Sequence, residues 1–346
     1  MDTINTLSEF LLQSGSQYRI FDMGRRVTKI STDLFSDFEH AVAPYPYPIG
    51  QHACVAIVFW NKQQSTEHYV WFLKLPLDER GLLEQASRSQ FLELVISALG
   101  RSLEHTPSEE QQSALDHNPI IFKPSDQKLA AFTSYVRQLM KLPASQFMSP
   151  ALSYLQDESQ YHEWQSVGYQ GLSDLAVRLG DPMISNIIAQ SIDKLPSESF
   201  CALCCALENV PVNTAIATKL LSILTVALAN DDSLIAIHAA RALSFAKGQG
   251  FVNQAFELLM NSKLSSNQLD LLVIISGRYW LEIKDELTAL NYLEKVVASN
   301  VSDDIFSQLF SDLVFIPTCR LPMLTALRNP KRSNELAQYI AKFIAA

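Results

Sequence analysis

Asp22-Met23-Gly24-Arg25-Arg26 is the stretch of this sequence best equipped to hold a ligand, with a carboxylate and two guanidiniums on either side of a glycine. An arginine fork matches a carboxylate or phosphate through two parallel hydrogen bonds, so Asp22, Arg25 and Arg26 are the candidate residues for a small anionic ligand or for an enzyme site. The plainer reading is a hairpin end, where Asp and Gly are ordinary turn residues and glycine accepts the positive φ of a tight reversal. Cys201-x-x-Cys204-Cys205 has a spacing that can share a zinc ion or exchange a disulfide. No second cysteine pair follows it, and its surroundings read as an apolar helix, so these residues are taken as small buried hydrophobes.

Other pairings are weaker. Glu67 and His68 are adjacent on an expected strand and would point to opposite faces. His162-Glu163 lacks the second histidine that a zinc-protease helix needs, and Ser191-x-x-Lys194 stands alone. With no phosphate-binding glycine loop and no nucleophile elbow, the sequence assigns no catalytic residue, no metal site and no cofactor. It favours a non-enzymatic role.

Charge narrows the partners. The net charge of −9 divides as −3 over residues 1–143 and −6 beyond, so neither half is a general polyanion binder. The exception is 320–346, where five basic residues meet only Glu335. Arg328, Lys331 and Arg332 are the candidate nucleic-acid contacts there, against the plainer reading of a solvated helix face. The start of the chain is not basic and no apolar run approaches the ~18 residues of a membrane span, so the expectation is a protein outside the membrane. Five cysteines in no disulfide-like pattern favour the cytoplasm.

Two units must position these residues, since 346 residues exceed one ordinary core. Over 1–143 the hydrophobic period keeps changing, as in an α+β unit with a small, mainly antiparallel sheet and covering helices. A helix is expected at 6–12 and a hairpin at 18–30. A short helix from 32 should carry Leu34, Phe35, Phe38 and Val42 on one side, ending at Pro44-Tyr45-Pro46-Tyr47-Pro48, a stiff connector or polyproline ligand. An antiparallel hairpin over 53–75, apolar on both faces, should lie centrally, with Trp60 and Trp71 in the core and a polar turn at 61–66. A helix over 82–99, a polar loop or frayed helix over 102–117, a strand at 120–123 and a helix over 127–142 complete the unit, with Pro143 as its boundary.

Over 144–346 helical segments recur between cap and break signals, without alternating strands. Asp181-Pro182 pairs an N-cap acceptor with the residue suited to the first helical position, and Pro211 and Asp231-Asp232 punctuate later segments. Asp231-Asp232-Ser233-Leu234-Ile235-Ala236-Ile237-His238-Ala239-Ala240-Arg241-Ala242-Leu243 resembles a HEAT repeat, whose small residues let helices approach closely. The segment at 287–297 is closer to a tetratricopeptide helix. The expected fold is therefore a right-handed superhelical, HEAT-like α-solenoid behind the α+β unit.

Arg19-Ile20-Phe21-Asp22-Met23-Gly24-Arg25-Arg26-Val27, the Pro-Tyr run at 44–48 and Phe122-Lys123-Pro124-Ser125 together resemble an uncharacterised bacterial family, a domain of unknown function. The resemblance spans nearly the whole chain and implies a bacterial, cytoplasmic protein; it carries no activity, ligand or site residue. The function expected from these readings is an interaction or scaffold protein that holds a protein partner on the helical-repeat surface, with nucleic acid the least favoured partner.

Overall fold

A computed structural model describes residues 4–61, 67–100 and 108–345. Two compact units divide it, Met1–Pro124 with Phe315–Pro317, and Ser125–Val314 with Thr318–Ala346. The polar turn expected at 61–66 lies outside the described residues from 62 on, as does the start of the polar stretch, up to 107.

The first unit is α+β. It runs α1 (Leu7–Gln13), β1 (Gln17–Asp22), β2 (Thr28–Ile30), α2 (Thr32–Glu39), β3 (His52–Trp60), β4 (Tyr69–Pro76), α3 (Gln85–Leu99) and α4 (Glu109–Asp116). The sheet is antiparallel in the order β2-β1-β3-β4, with Ile20 opposite both Ile30 and Ile57, and Ile57 opposite Trp71. β3 is buried along nearly its whole length, as a strand apolar on both faces requires. β4 is an edge strand rather than a central one, and its side chains are only partly covered. Trp71 is half-buried, its ring packed against Phe59 at 4.6 Å and Phe91 at 6.0 Å between centroids.

Local chemistry sets the ends of these elements. The Thr6 hydroxyl accepts from the Glu9 amide while the Glu9 carboxylate accepts from the Thr6 amide, a reciprocal cap that starts α1. In α2, Phe35 and Phe38 are buried as expected, but Val42 is exposed because the helix stops at Glu39 and Ala41 takes φ of 53°. The strand expected at 120–123 is one bridge, Ile121 to Leu73, flanked by two backbone hydrogen bonds to β4. Pro119 and Pro124 bound the segment and leave little backbone able to join a ladder.

The second unit is entirely helical apart from one isolated bridge, among the described residues. It contains α5 (Asp126–Leu139), α6 (Met148–Gln156), α7 (Tyr169–Ala176), α8 (Pro182–Ser191), α9 (Ser197–Leu207) and α10 (Thr214–Ala229). These are followed by α11 (Ser233–Leu243), α12 (Gln249–Asn261), α13 (Leu269–Arg278), α14 (Glu286–Ala298), α15 (Asp303–Phe315), α16 (Pro317–Ala326) and α17 (Asn334–Ala345). The helix before Pro143 groups here rather than with the sheet. The Ser134 hydroxyl on α5 donates to the buried Asp174 carboxylate on α7 at 2.8 Å, and Tyr135 donates to the Asn209 carbonyl at 2.6 Å.

From α5 to α13 the helices form two rows. α5, α7, α9, α11 and α13 pack successively in one, and α6, α8, α10 and α12 in the other. Side-chain caps from Asp181, Asn213 and Asp232 start α8, α10 and α11, and no single helix of this length can hide its apolar stripe alone. Asp232 caps α11, accepting from the Ile235 amide at 3.1 Å. Ala236, Ala239, Ala240 and Ala242 then bury a flank so small that helices close on it from both rows. Gly171 serves a similar approach. A Cβ there would stand 2.4 Å from the Phe147 carbonyl oxygen, at the junction of α6 and α7.

Candidate functional site

The Asp22 turn folds inward. Asp22, Arg25 and Arg26 are all buried. One Asp22 oxygen accepts from the Tyr45 hydroxyl at 2.7 Å and the Gly24 amide at 3.3 Å; the other accepts from the Arg26 amide at 3.0 Å. Arg25 Nε donates to the Pro48 carbonyl at 2.8 Å. Gly24 does not take a positive φ, and a Cβ there would make a tight 3.2 Å contact with the Ile49 side chain. Burial, and then the Asp22 charge, raise the Tyr45 hydroxyl well above its ordinary range, so it keeps its proton and donates. The Pro-Tyr run is thus an anchor that brings Tyr45 and Pro48 back onto the turn. The predicted residues do come together, and the hydrogen bonds that join them close a loop.

Arg328, Lys331 and Arg332 are exposed in the turn between α16 and α17. Acids on α14 hold that turn. Glu286 accepts from the Asn329 amide side chain at 2.6 Å, and Glu294 accepts from Ser333 through its amide at 2.7 Å and its hydroxyl at 2.6 Å. Lys342 is paired with Asp303 at 3.0 Å. The basic excess of this segment is therefore offset by carboxylates from elsewhere in the unit, which a count along the sequence does not see.

A third cluster lies on the row α9–α11–α13. Glu208, at the C-cap of α9, is buried. Arg241 in the last turn of α11 donates to both its oxygens, Nε at 2.8 Å and Nη2 at 2.7 Å. Arg278, the last residue of α13, donates Nε to the same Oε2 at 2.8 Å. Burial alone would raise the carboxyl; the Arg278 and Arg241 guanidiniums overcome it and hold Glu208 at about 2. One turn back from Glu208 and Arg241, Cys205 Sγ lies 3.7 Å from His238 Nδ1. Burial pushes the thiol to about 11, and burial with the Arg241 charge lowers the imidazole to about 4. Both groups are neutral near pH 7, so this pair is not a thiolate–imidazolium nucleophile.

Helical spacing makes a face of these residues. Leu234, His238 and Arg241 fall on one stripe of α11, Cys201, Cys205 and Glu208 on one of α9, and Ile274 and Arg278 on one of α13. Leu234, in the first turn of α11, is 51% exposed. The cysteine motif read as apolar filler thus splits: Cys204 is buried in the helix packing, while Cys201 is half-buried and Cys205 meets His238. Sequence reading passed over Glu208 and Arg278 altogether. The available signal was charge recurring in apolar helices at one register, 33 residues from Glu208 to Arg241 and 70 from Glu208 to Arg278. The other row carries an open groove of about 780 Å³ between α10 and α12, lined by Leu221, Thr225 and Leu258 with Asp231, Glu257 and Lys263.

A family model described as a protein of unknown function, DUF3549, matches residues 2–344. No curated protein and no solved structure matches the chain. No helix among the described residues is long and apolar enough to cross a membrane.

Proposed function

We propose that this chain, which belongs to the DUF3549 family, is a non-enzymatic interaction or scaffold protein of the bacterial cytoplasm, holding a protein partner on the α9–α11–α13 face of a HEAT-type helical stack. The observation that carries this reading is the stripe Leu234, His238 and Arg241, an apolar to basic surface fixed from below by the buried Glu208. Its support is physical. A row of packed helices presents side chains at a regular spacing on a rigid backing, which lowers the ordering cost that a partner would otherwise meet. The neutral Cys205–His238 pair and the filled hydrogen bonds of Asp22 speak for binding over chemistry.

Affinity purification of the tagged full-length chain, read by quantitative mass spectrometry, tests it with two variants. Leu234→Glu alters the proposed face; Val226→Glu alters α10 on the other row at a position 56% exposed. The expected result is a protein retained by the wild type and by Val226→Glu and lost from Leu234→Glu. A set of retained proteins identical in all three would end the assignment of this face.

A further inference from the structure

We propose that Arg241 and Arg278 form an oxyanion site on the α9–α11–α13 face, taking one carboxylate or phosphate group in addition to the Glu208 they already share. The argument starts from donors. A guanidinium carries five N–H bonds in a fixed plane. Arg241 directs Nε and Nη2 at Glu208, and no hydrogen-bond partner meets its Nη1 among the described residues. Arg278 directs Nε at Glu208 and Nη1 at the Gly277 carbonyl at 3.0 Å, and no hydrogen-bond partner meets its Nη2 among the described residues. Both Nε groups sit on the same oxygen, so the two guanidiniums are necessarily neighbours, within reach of one anion.

The charges point the same way. Two cations face one buried carboxylate, an excess of one positive charge. At His238, burial first and then the Arg241 guanidinium hold the imidazole down against the opposing pull of the Glu208 carboxylate. The side chains of Arg241 and Arg278 are 19% and 14% exposed, so their open edges reach solvent while the rest is withdrawn from it, where a charge-assisted hydrogen bond gains strength.

Two features oppose an anion. The C-terminal ends of α9, α11 and α13 carry about half a negative charge each at most, spread over several terminal carbonyls, whereas the one positive charge left over after Glu208 sits on guanidiniums that aim N–H bonds at the ligand. Glu198, Asp232 and Asp270 lie at the opposite ends of their helices. At 1.5 Å per residue they stand roughly 12 Å or more along the axis from this end, beyond the screening length of about 8 Å at physiological ionic strength. Glu208 also does what a free arginine pair cannot, by fixing both planes before the ligand arrives, so less side-chain freedom is lost on binding.

This inference does not need the protein partner proposed above, and it is tested on the chain alone. The guanidinium Nε–Hε resonances of the full-length protein are followed while sodium phosphate, and in a separate arm sodium acetate, replaces sodium chloride at constant ionic strength. The expected result is a saturable shift of the Arg241 and Arg278 signals with at least one of the two anions, and an affinity reduced about tenfold or more in Arg278→Gln. That variant leaves the two bonds from Arg241 to Glu208 intact. If it does not fold, Arg278→Lys keeps the charge, loses the fork and is expected to bind several-fold more weakly. Saturation by phosphate alone points to a phosphorylated ligand or free phosphate, and by acetate to a carboxylate group. Shifts that rise linearly with no saturation, or an affinity unchanged in the variant, would show an adventitious ion only and overturn the site.

Discussion

Both units of this protein bury a carboxylate against arginines and hydrogen-bond donors, with different consequences. Asp22 in the sheet unit meets donors from its own turn and from Tyr45, so its acceptor capacity goes into closing a loop between β1 and the Pro-Tyr run. Glu208 in the helical unit is met by two long cationic side chains from two other helices, which have more donors than it can accept. A carboxylate satisfied by local amides makes a lock. One satisfied by guanidiniums from neighbouring helices ties those helices together and leaves positive charge over for something else.

The comparison breaks most readily at Glu208. Glu208→Gln leaves two guanidiniums over a neutral amide, and the expected loss of stability is about 3–5 kcal/mol by urea unfolding; a loss under about 1 kcal/mol would mean that solvent already satisfies both arginines. Tyr45→Phe removes one donor from a buried carboxylate, and about 1–3 kcal/mol is expected from the same measurement. An unchanged midpoint would show that Asp22 does not need the hydroxyl.

Titration sharpens the contrast, because the two clusters should fail at opposite ends of the pH scale. His238 sits at about 4, below its ordinary 6.5, so the neutral ring favours the folded state. Its contribution is complete above pH 6.5 and falls as the pH drops toward 4. Glu208, held at about 2 against an ordinary 4.5, gives its share above pH 4.5 and loses it toward pH 2. Tyr45 is raised above its ordinary 10.0, so its share is complete below pH 10 and falls only as the solution becomes more alkaline. Urea midpoints across pH, with His238→Asn and Tyr45→Phe, should show the acid-side slope reduced in the first and the alkaline-side slope reduced in the second. Slopes that match the wild type in both variants would contradict these origins. The smallest expected effect is that of Leu234→Glu on stability, within about 0.5 kcal/mol, because the side chain is half exposed.

Period and punctuation carried most of the fold. The helix α1, the β1–β2 hairpin, the β3–β4 pairing and the all-helical character of the second unit were legible because each depends on residues close in sequence. What depends on distant partners was not. β4 reads like a central strand, and only the sheet order makes it an edge. The α5 stripe is equally apolar whichever unit it joins, and contacts with α7 and α9 decide that. At Asp22 the residues were identified but not their orientation, which Tyr45 imposes from 23 positions away. Glu208 and Arg278 are 70 residues apart, and a search for local motifs cannot join them.

The most direct test of the binding face is photo-crosslinking in cells, with a photoreactive residue placed in turn at Leu234, Ile274 and Val226. The account predicts the same protein adduct from the first two positions, on α11 and α13, and not from the third, on α10. One adduct pattern from all three, or unrelated adducts from Leu234 and Ile274, would contradict it.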